Sequence, residues 1–394
     1  MWRDSKLLVL LVIGSLSVMA GGVIAPILPE IVHQLHLDPG TAGSLVSLHF
    51  LTVALSVPIL GILADRAGSL AVLVPSLVFY ALFGMVGSVM PFGLLLLTRA
   101  LLGVATGGIA AASLGLMGKL YRGEARSQAI AYAASSLSLA NIIYPLLGGW
   151  VGSLHWQWAF YLYGAGLPLA ILAIFTFREK LHLPNQLEVN AQNQSEIAIN
   201  SGKLIQVFCH LQTLRLLLTL SLASGTVYAS VVYIPLYLQT TLGTGTALNG
   251  IVLASEAIGA TFISIFGLRR LAKTFGNILA IACGFGVMAL TLIALPQLHQ
   301  IYWILPTAIL FGLGFGIVVP TLYSSLADQA PAHLQSSILA AGTGAGFLGQ
   351  FLSPILLGVV LTNSGLTGVF YSAATVSLGA GLLTLLPRIL SGMK

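Results

Sequence analysis

The chain has 394 residues, of which 57% are hydrophobic and 7% charged, and its formal net charge is +6. A soluble domain carries roughly 25% charged residues, so this composition excludes a compact soluble fold and calls for a bilayer as the apolar solvent. The positive surplus fits contact with anionic lipid and gives no support to nucleic-acid binding, since no basic stripe is interleaved with aromatics.

A helix crossing ~30 Å of hydrocarbon needs about 20 residues. Twelve apolar runs meet that length, near 7–29, 41–63, 71–90, 94–118, 128–152, 157–177, 215–239, 248–268, 278–296, 300–326, 338–361 and 367–386. The expected fold class is an all-α membrane protein of twelve transmembrane helices. The first run follows Arg3 and Lys6 as a signal peptide would, but it stays apolar for 23 residues and is read as a retained helix. The gaps at 91–93 and 297–299 predict tight antiparallel hairpins, and 300–326 is long enough to include an interfacial turn. Between the runs, fifteen of the 16 Lys and Arg residues fall on one side, at Arg3/Lys6, Arg66, Lys119–Arg126, Arg178–Arg215, Arg269–Lys273 and Arg388/Lys394. By the positive-inside rule that side is cytoplasmic, both termini lie inside, and the chain is a multi-pass protein of the inner membrane.

Only 178–214 departs from this composition. Its core, PNQLEVNAQNQSEIAINSGK at 184–203, is a polar, Asn- and Gln-rich linker. The expected organisation is therefore an N-terminal six-helix half (1–177), a cytoplasmic linker (178–214) and a C-terminal six-helix half (215–394). Asn193-Gln194-Ser195 spells a glycosylation sequon, but a cytoplasmic loop does not meet that machinery. Cys209 in the linker and Cys283 within a run are not placed for an extracytoplasmic disulfide.

The halves align without gaps at several points when 209 is added to the residue number. Ile24-Ala25-Pro26 falls on Tyr233-Ile234-Pro235, Thr98 on Thr307, Gly103 on Gly312, Ser127 on Ser336, Pro145 on Pro354 and Gly149 on Gly358. One such match means little in a chain rich in Gly and Ala; one offset held from the first span to the fifth marks a repeat. Two parallel repeats put their interface, and a central cavity, near the bilayer midplane, the architecture of alternating access.

The second run ends in Gly61-Ile62-Leu63-Ala64-Asp65-Arg66-Ala67-Gly68. Two glycines permit a tight turn, and Asp65 and Arg66 sit at the inner interface within reach of partners. The segment resembles the signature loop of the major facilitator superfamily, G-x-L-A-D-R-x-G, at Gly61, Leu63, Asp65, Arg66 and Gly68. The resemblance implies two six-helix halves and a conformational latch in which Asp65 holds the other half. Ser69 and Leu70 stand where basic residues usually follow, and the second-half loop Gly267–Lys273 has no Asp. A loop that only sets topology is the other reading. Ala140-Asn141-Ile142-Ile143-Tyr144-Pro145-Leu146-Leu147-Gly148-Gly149 resembles the fifth-helix motif of the drug:proton antiporter branch at Pro145, Gly148 and Gly149, with Tyr144 where Gly is usual. Such a cluster bends a helix and lets backbones approach closely. The stretch from Leu94 to Gly103 resembles the family's fourth-helix motif, whose Arg, here Arg99, is linked with proton coupling; Leu102 replaces its usual Gln.

Arg99 is the one basic residue inside a run and either faces partners in the protein or snorkels to the outer interface. Glu256 is the deepest acid, suited to reversible proton binding or to a structural hydrogen bond. Glu30, whose repeat mate is Gln239, and His49 complete the proton-coupling candidates, each with a bland alternative as a solvated or packed side chain. Asn141, Tyr228, Tyr233 and Gln350 are candidate cavity contacts. Gly344–Gly349 spells GxGxxG but has no preceding strand, and Gly118-Lys119 lacks a Walker A lead-in, so ATP is not the energy source. His33, His36 and Asp38 lack a fourth ligand, and no metal or cofactor is expected. The expected function is proton-driven efflux of small organic or amphipathic compounds by a monomer, with the proton gradient as energy source. Its partners are the small-molecule cargo, protons and the lipid bilayer. Uptake by symport is the runner-up. A membrane receptor, which would bind ligand and move none in liposomes, comes after it, as does a lipid-modifying enzyme, for which the short outer loops lack clustered acid, base or nucleophile groups.

Overall fold

The computed structural model describes residues 4–177, 210–331 and 334–392. Arg3, Lys394 and most of the expected linker, including Cys209, lie outside the described residues. In hydrocarbon every backbone N–H and C=O must be bonded internally, so apolar runs of this length fold as helices. Span 1 is Ser5–Gly22, continued by a 3-10 turn Ala25–Ile27 and a short helix Leu28–Gln34. Spans 2 to 5 are Pro39–Ala67, Ser69–Val86, Phe92–Leu120 and Gly123–Leu154. Span 6 joins Trp158–Tyr161 to Gly166–Phe177. Spans 7, 8 and 10 are Leu211–Leu242, Thr246–Phe266 and Ile301–Ala327, while span 9 lies within Leu268–Ala294.

Among the described residues eleven helices are long and apolar enough to cross a bilayer, and the last of them, Ser337–Leu386, has 50 residues. At 1.5 Å per residue it would be about 75 Å long, more than twice the hydrocarbon thickness. Gly365, at φ 67° and ψ −173°, breaks it. Spans 11 and 12 lie on either side of that break, which makes twelve crossings.

Two sequence expectations are corrected. The stretch 300–326 contains no turn: the helix runs unbroken from Ile301 to Ala327 through Pro306 and Pro320. A proline frees the carbonyl four residues before it, and the Gly316 carbonyl freed by Pro320 accepts a bond from Ser264 Oγ of span 8 at 3.1 Å. Span 7 also begins at Leu211, inside the stretch assigned to the linker. It ends where Gly243, left-handed at φ 63°, lets its own N–H and that of Thr244 return to the carbonyls of Gln239 and Leu238.

Small residues set the packing within each half. Gly103 and Gly107 of span 4 lie against His49, Thr52 and Ser56 of span 2; their repeat mates Gly312 and Gly316 of span 10 lie against the carbonyls of Glu256 and Ala260 of span 8. Side chains at these glycines would separate the helices, and close backbone approach is the main source of helix association where lipid is as apolar as the protein. The outer surface is apolar, with Leu55, Ile59, Phe175 and Leu356 each at least 60% exposed. One face of the bundle carries Lys6, Arg66, Lys119, Arg122 and Arg126 at the span ends and is called the basic face. Around the 5–6 and 9–10 turns of the opposite, distal face, Trp150, Trp158, Tyr161, Tyr302 and Trp303 are exposed, an aromatic belt at the level of a membrane interface. On the basic face, Tyr121 at the end of span 4 donates to Asp4 at the start of span 1, 2.6 Å. That bond is the main cause holding the Asp4 carboxyl below the usual carboxylate range.

Candidate functional site

The two halves meet along two seams at the distal side. In one, Gly40 and Gly43 of span 2 face Gly358 and Pro354 of span 11, and a Cβ on Gly43 would lie 2.6 Å from Pro354 Cβ. In the other, Gly149 of span 5 faces Thr246 and Gly250 of span 8, and a Cβ on Gly149 would lie 2.5 Å from the Thr246 carbonyl. Adding 209 to Gly149 and Pro145 gives Gly358 and Pro354, so each seam is the repeat image of the other. Among the described residues, four hydrogen bonds cross between the halves. Tyr228 Oη donates to the Val46 carbonyl (2.8 Å), Thr246 Oγ1 to that of Gly149 (3.0 Å) and Asn249 Nδ2 to that of Pro26 (3.0 Å). Gln239 Nε2 approaches Glu30 Oε2 at 3.4 Å. Repeat mates that touch each other mark the pseudo-two-fold axis, and Glu30 and Gln239 do so. Phe50 closes the seam deeper in, edge-on to Tyr228 (4.8 Å) and stacked on Phe347 (5.7 Å). None of these contacts lies at the basic face.

Each half also buries one polar node. In the first, Arg99 is 1% exposed; its Nη1 donates to Tyr163 Oη (3.2 Å), which donates to the Ala20 carbonyl of span 1 (2.9 Å). The guanidinium carbon lies 4.8 Å from the Phe160 ring centroid and 5.2 Å from that of Tyr163. Arg99 therefore does not snorkel. His49, also 1% exposed, is packed against Phe50 at 3.9 Å between ring centroids, and neither ring nitrogen has a partner among the described residues. In the second half Glu256 accepts from Ser230 Oγ at 2.9 Å, while its Oε1 is buried with no described partner. Its repeat mate is Ser47, and that of Ser230 is Gly21. The halves thus share a backbone plan but carry opposite chemistry, a buried cation in one and a buried carboxyl in the other.

The family profile described as Major Facilitator Superfamily matches residues 10–354. The chain belongs to this superfamily. It is accordingly a transporter and not an enzyme. Multidrug resistance protein 1 of Bacillus subtilis is 23% identical over 368 residues, covering 92% of this chain and 91% of that protein. The tetracycline resistance protein, class B, of Escherichia coli is 24% identical over 372 residues (92% and 90% covered), and the bacillibactin exporter of B. subtilis 21% over 361 (88% and 87%). Among solved structures, a bacterial homolog of the human lysosomal transporter Spinster, inward-facing and unoccupied, superposes with a TM-score of 0.78 at 14% identity, covering 98% of this chain and 95% of that one.

Within this superfamily member, the signature loop puts Gly68 at φ 97°, a conformation open to glycine. Asp65 lies 4.0 Å from Lys119 of its own half, with side chains 77% and 48% exposed, and Lys119 also donates to Ser69 Oγ (3.0 Å). Among the described residues no partner in the other half is engaged by Asp65. Gly148 abuts the backbone of Val23 in span 1 while Gly149 forms the inter-half seam, so the Pro145–Gly149 cluster works through close approach; span 5 remains one helix. Of the four cavity candidates, Asn141 is exposed on span 5, one helical face with Ser135 and Ser138. Gln350 is half-buried with Oε1 unpartnered among the described residues. Tyr228 is in the seam. Tyr233 is fully buried, and its hydroxyl donates to the Pro354 carbonyl at 3.0 Å within its own half. Sequence reasoning missed Tyr163 and Ser230, for which no local signal exists, and Gly250, which the repeat offset could have supplied as a neighbour of the mate of Gly40.

Proposed function

We propose that the protein is a proton-coupled exporter of small organic or amphipathic compounds, working by alternating access with its basic face in the cytoplasm. The observation that carries the reading is that, among the described residues, both inter-half seams and the four inter-half hydrogen bonds lie at the distal side. Halves related by a repeat and joined on one side have a second arrangement in which the other side is joined. Export is supported by relatives whose names denote resistance proteins and an exporter, and by an interior with few charges. Glu256 is the first choice for the coupling group, with Arg99, His49 and Glu30 in reserve. The test is a screen of lipophilic dyes in proteoliposomes under an imposed pH gradient. Dye moving against the proton flux supports antiport; dye moving with it makes the protein a symporter, and movement indifferent to the gradient removes the proton.

The orientation has its own test. With Cys209 and Cys283 replaced by Ser, single cysteines in 178–214 should be shielded from an impermeant thiol reagent outside intact cells, while those in 30–40 should react. Labelling of the central segment from outside would reverse the topology.

The signature loop is read as a state-dependent latch built from Gly61, Asp65, Arg66 and Gly68. An exposed pair such as Asp65–Lys119 contributes ~0–1 kcal/mol, little enough for Asp65 to change partners. Asp65→Asn should therefore slow turnover several-fold at unchanged abundance in the membrane. Full-rate transport by that variant would leave the loop a topology signal only.

A further inference from the structure

The Arg99 node has a chemical specificity that proton coupling does not use. A guanidinium presents two edges of parallel N–H groups, and the edge formed by Nε and Nη2 is one that a carboxylate or similar anion grips with two bonds. In Arg99, Nη1 is engaged by Tyr163, whereas Nε and Nη2, the two atoms of that edge, are buried and have no partner among the described residues. No described carboxylate pairs with this cation: Asp4, Glu30, Asp38, Asp65, Glu124 and Asp328 all lie at or near span ends, and Glu256 is held by Ser230 in the other half. The two aromatic faces offset part of the cost of burying the charge and satisfy none of its N–H groups. His49 is within electrostatic range of Arg99 and has the Val46 carbonyl beside it, so its ring offers at most one further N–H; the ring lies against Gly21 while Tyr163 holds the carbonyl of Ala20, and the groups converge on one point of span 1.

We propose that the free edge of Arg99, with His49 beside it, is a binding site for a small monovalent anion of the carboxylate or halide class. The inference does not depend on export or on a proton partner. Phe50, adjoining His49, forms the aromatic seam with Tyr228 and Phe347, so the site lies directly behind the inter-half contact and gains access when the distal side parts. The anion has two possible sources, a free ion or the carboxylate of an acidic cargo.

The test is thermal unfolding of the full chain in detergent, at fixed pH and ionic strength, with gluconate replaced stepwise by formate, nitrate or chloride. A second arm compares benzoate with its neutral counterpart benzamide. A ligand that binds the folded state raises its melting temperature with saturation. A saturable rise of several degrees with formate, nitrate or chloride is expected in the parent and should be lost in Arg99→Gln. Arg99→Lys, which keeps the charge without the paired edge, should lose more of the formate response than of the chloride response. Benzoate acting more strongly than formate, with benzamide inert, assigns the site to an acidic cargo; benzoate without effect assigns it to a free ion. If Arg99→Gln does not fold, His49→Phe takes its place and should weaken the anion response. A parent indifferent to anion identity, or an equal rise in parent and variant, overturns the proposal.

Discussion

Proteoliposomes carrying Glu256→Gln should fail to move cargo against its gradient under an imposed pH difference, while still binding it and exchanging it at equilibrium. Glu256 is 7% exposed, is held by one hydrogen bond from Ser230, and faces no base among the described residues in the C-terminal half. A carboxyl so placed can take up and release a proton as the two faces open in turn, and glutamine keeps its shape without that capacity. Each pH unit across the membrane is worth ~1.4 kcal/mol per proton, a tenfold cargo gradient, so the variant should settle near an even distribution where the parent reaches about tenfold per unit. The readout is the steady-state cargo ratio against the imposed pH difference, with Ser230→Ala as a control that removes the hydrogen bond and keeps the carboxyl. If Glu256→Gln sustains the parent's gradient, the carboxyl is structural and the coupling group lies among the reserve residues.

The second large effect is expected at a glycine. Gly149→Leu should open the distal seam and hold the protein with its distal side accessible. A Cβ at this position would lie 2.5 Å from the Thr246 carbonyl and 3.0 Å from Gly250 Cα. Both obstacles are backbone, so no rotamer change relieves the clash and spans 5 and 8 must separate. Overpacking of this kind costs ~1–3 kcal/mol or more, enough to shift a two-state equilibrium by about 5- to 150-fold. The measurement uses Val46→Cys, a buried seam position, in a background without native cysteines. Its labelling by an impermeant thiol reagent from the distal side should accelerate when Gly149→Leu is added, and net transport should stop. Unchanged labelling together with normal transport would mean that the seam does not seal the pathway.

Much of the architecture was legible in the sequence because the bilayer leaves few choices. Apolar runs of about 20 residues had to be helices, and charges such as Arg66 and Lys119 had to lie at their ends. The repeat offset anticipated the symmetry of the seams through Pro145 and Pro354 and through Gly149 and Gly358. What could not be read was which side of each helix faces which neighbour. A soluble helix betrays its buried face by a stripe of apolar residues, but here lipid-facing and core-facing positions are equally apolar. Hence Arg99 could be picked out as anomalous, yet not its pairing with Tyr163, 64 residues away. Glu256 was conspicuous, and Ser230 was one serine among many. Tyr233 stood out as an aromatic within a span, and nothing in the chain announces that its hydroxyl meets the Pro354 carbonyl.

Three of the four bonds that close the distal side end on main-chain oxygens, those of Val46, Pro26 and Gly149. A carbonyl has two lone pairs, and at Val46 and Gly149, well inside helices, the helix itself uses one of them. When the halves part, these acceptors lose only a supplementary bond. The donors Tyr228, Thr246 and Asn249 are then beside the water that enters, so none is stranded. A hydrogen bond exchanged in this way is worth only ~0.5–1.5 kcal/mol net. The closure is thus shallow, a latch of weak catches whose undoing leaves no broken polar core behind. How readily the distal side reopens is then decided by the glycine packing of the seams and not by their hydrogen bonds.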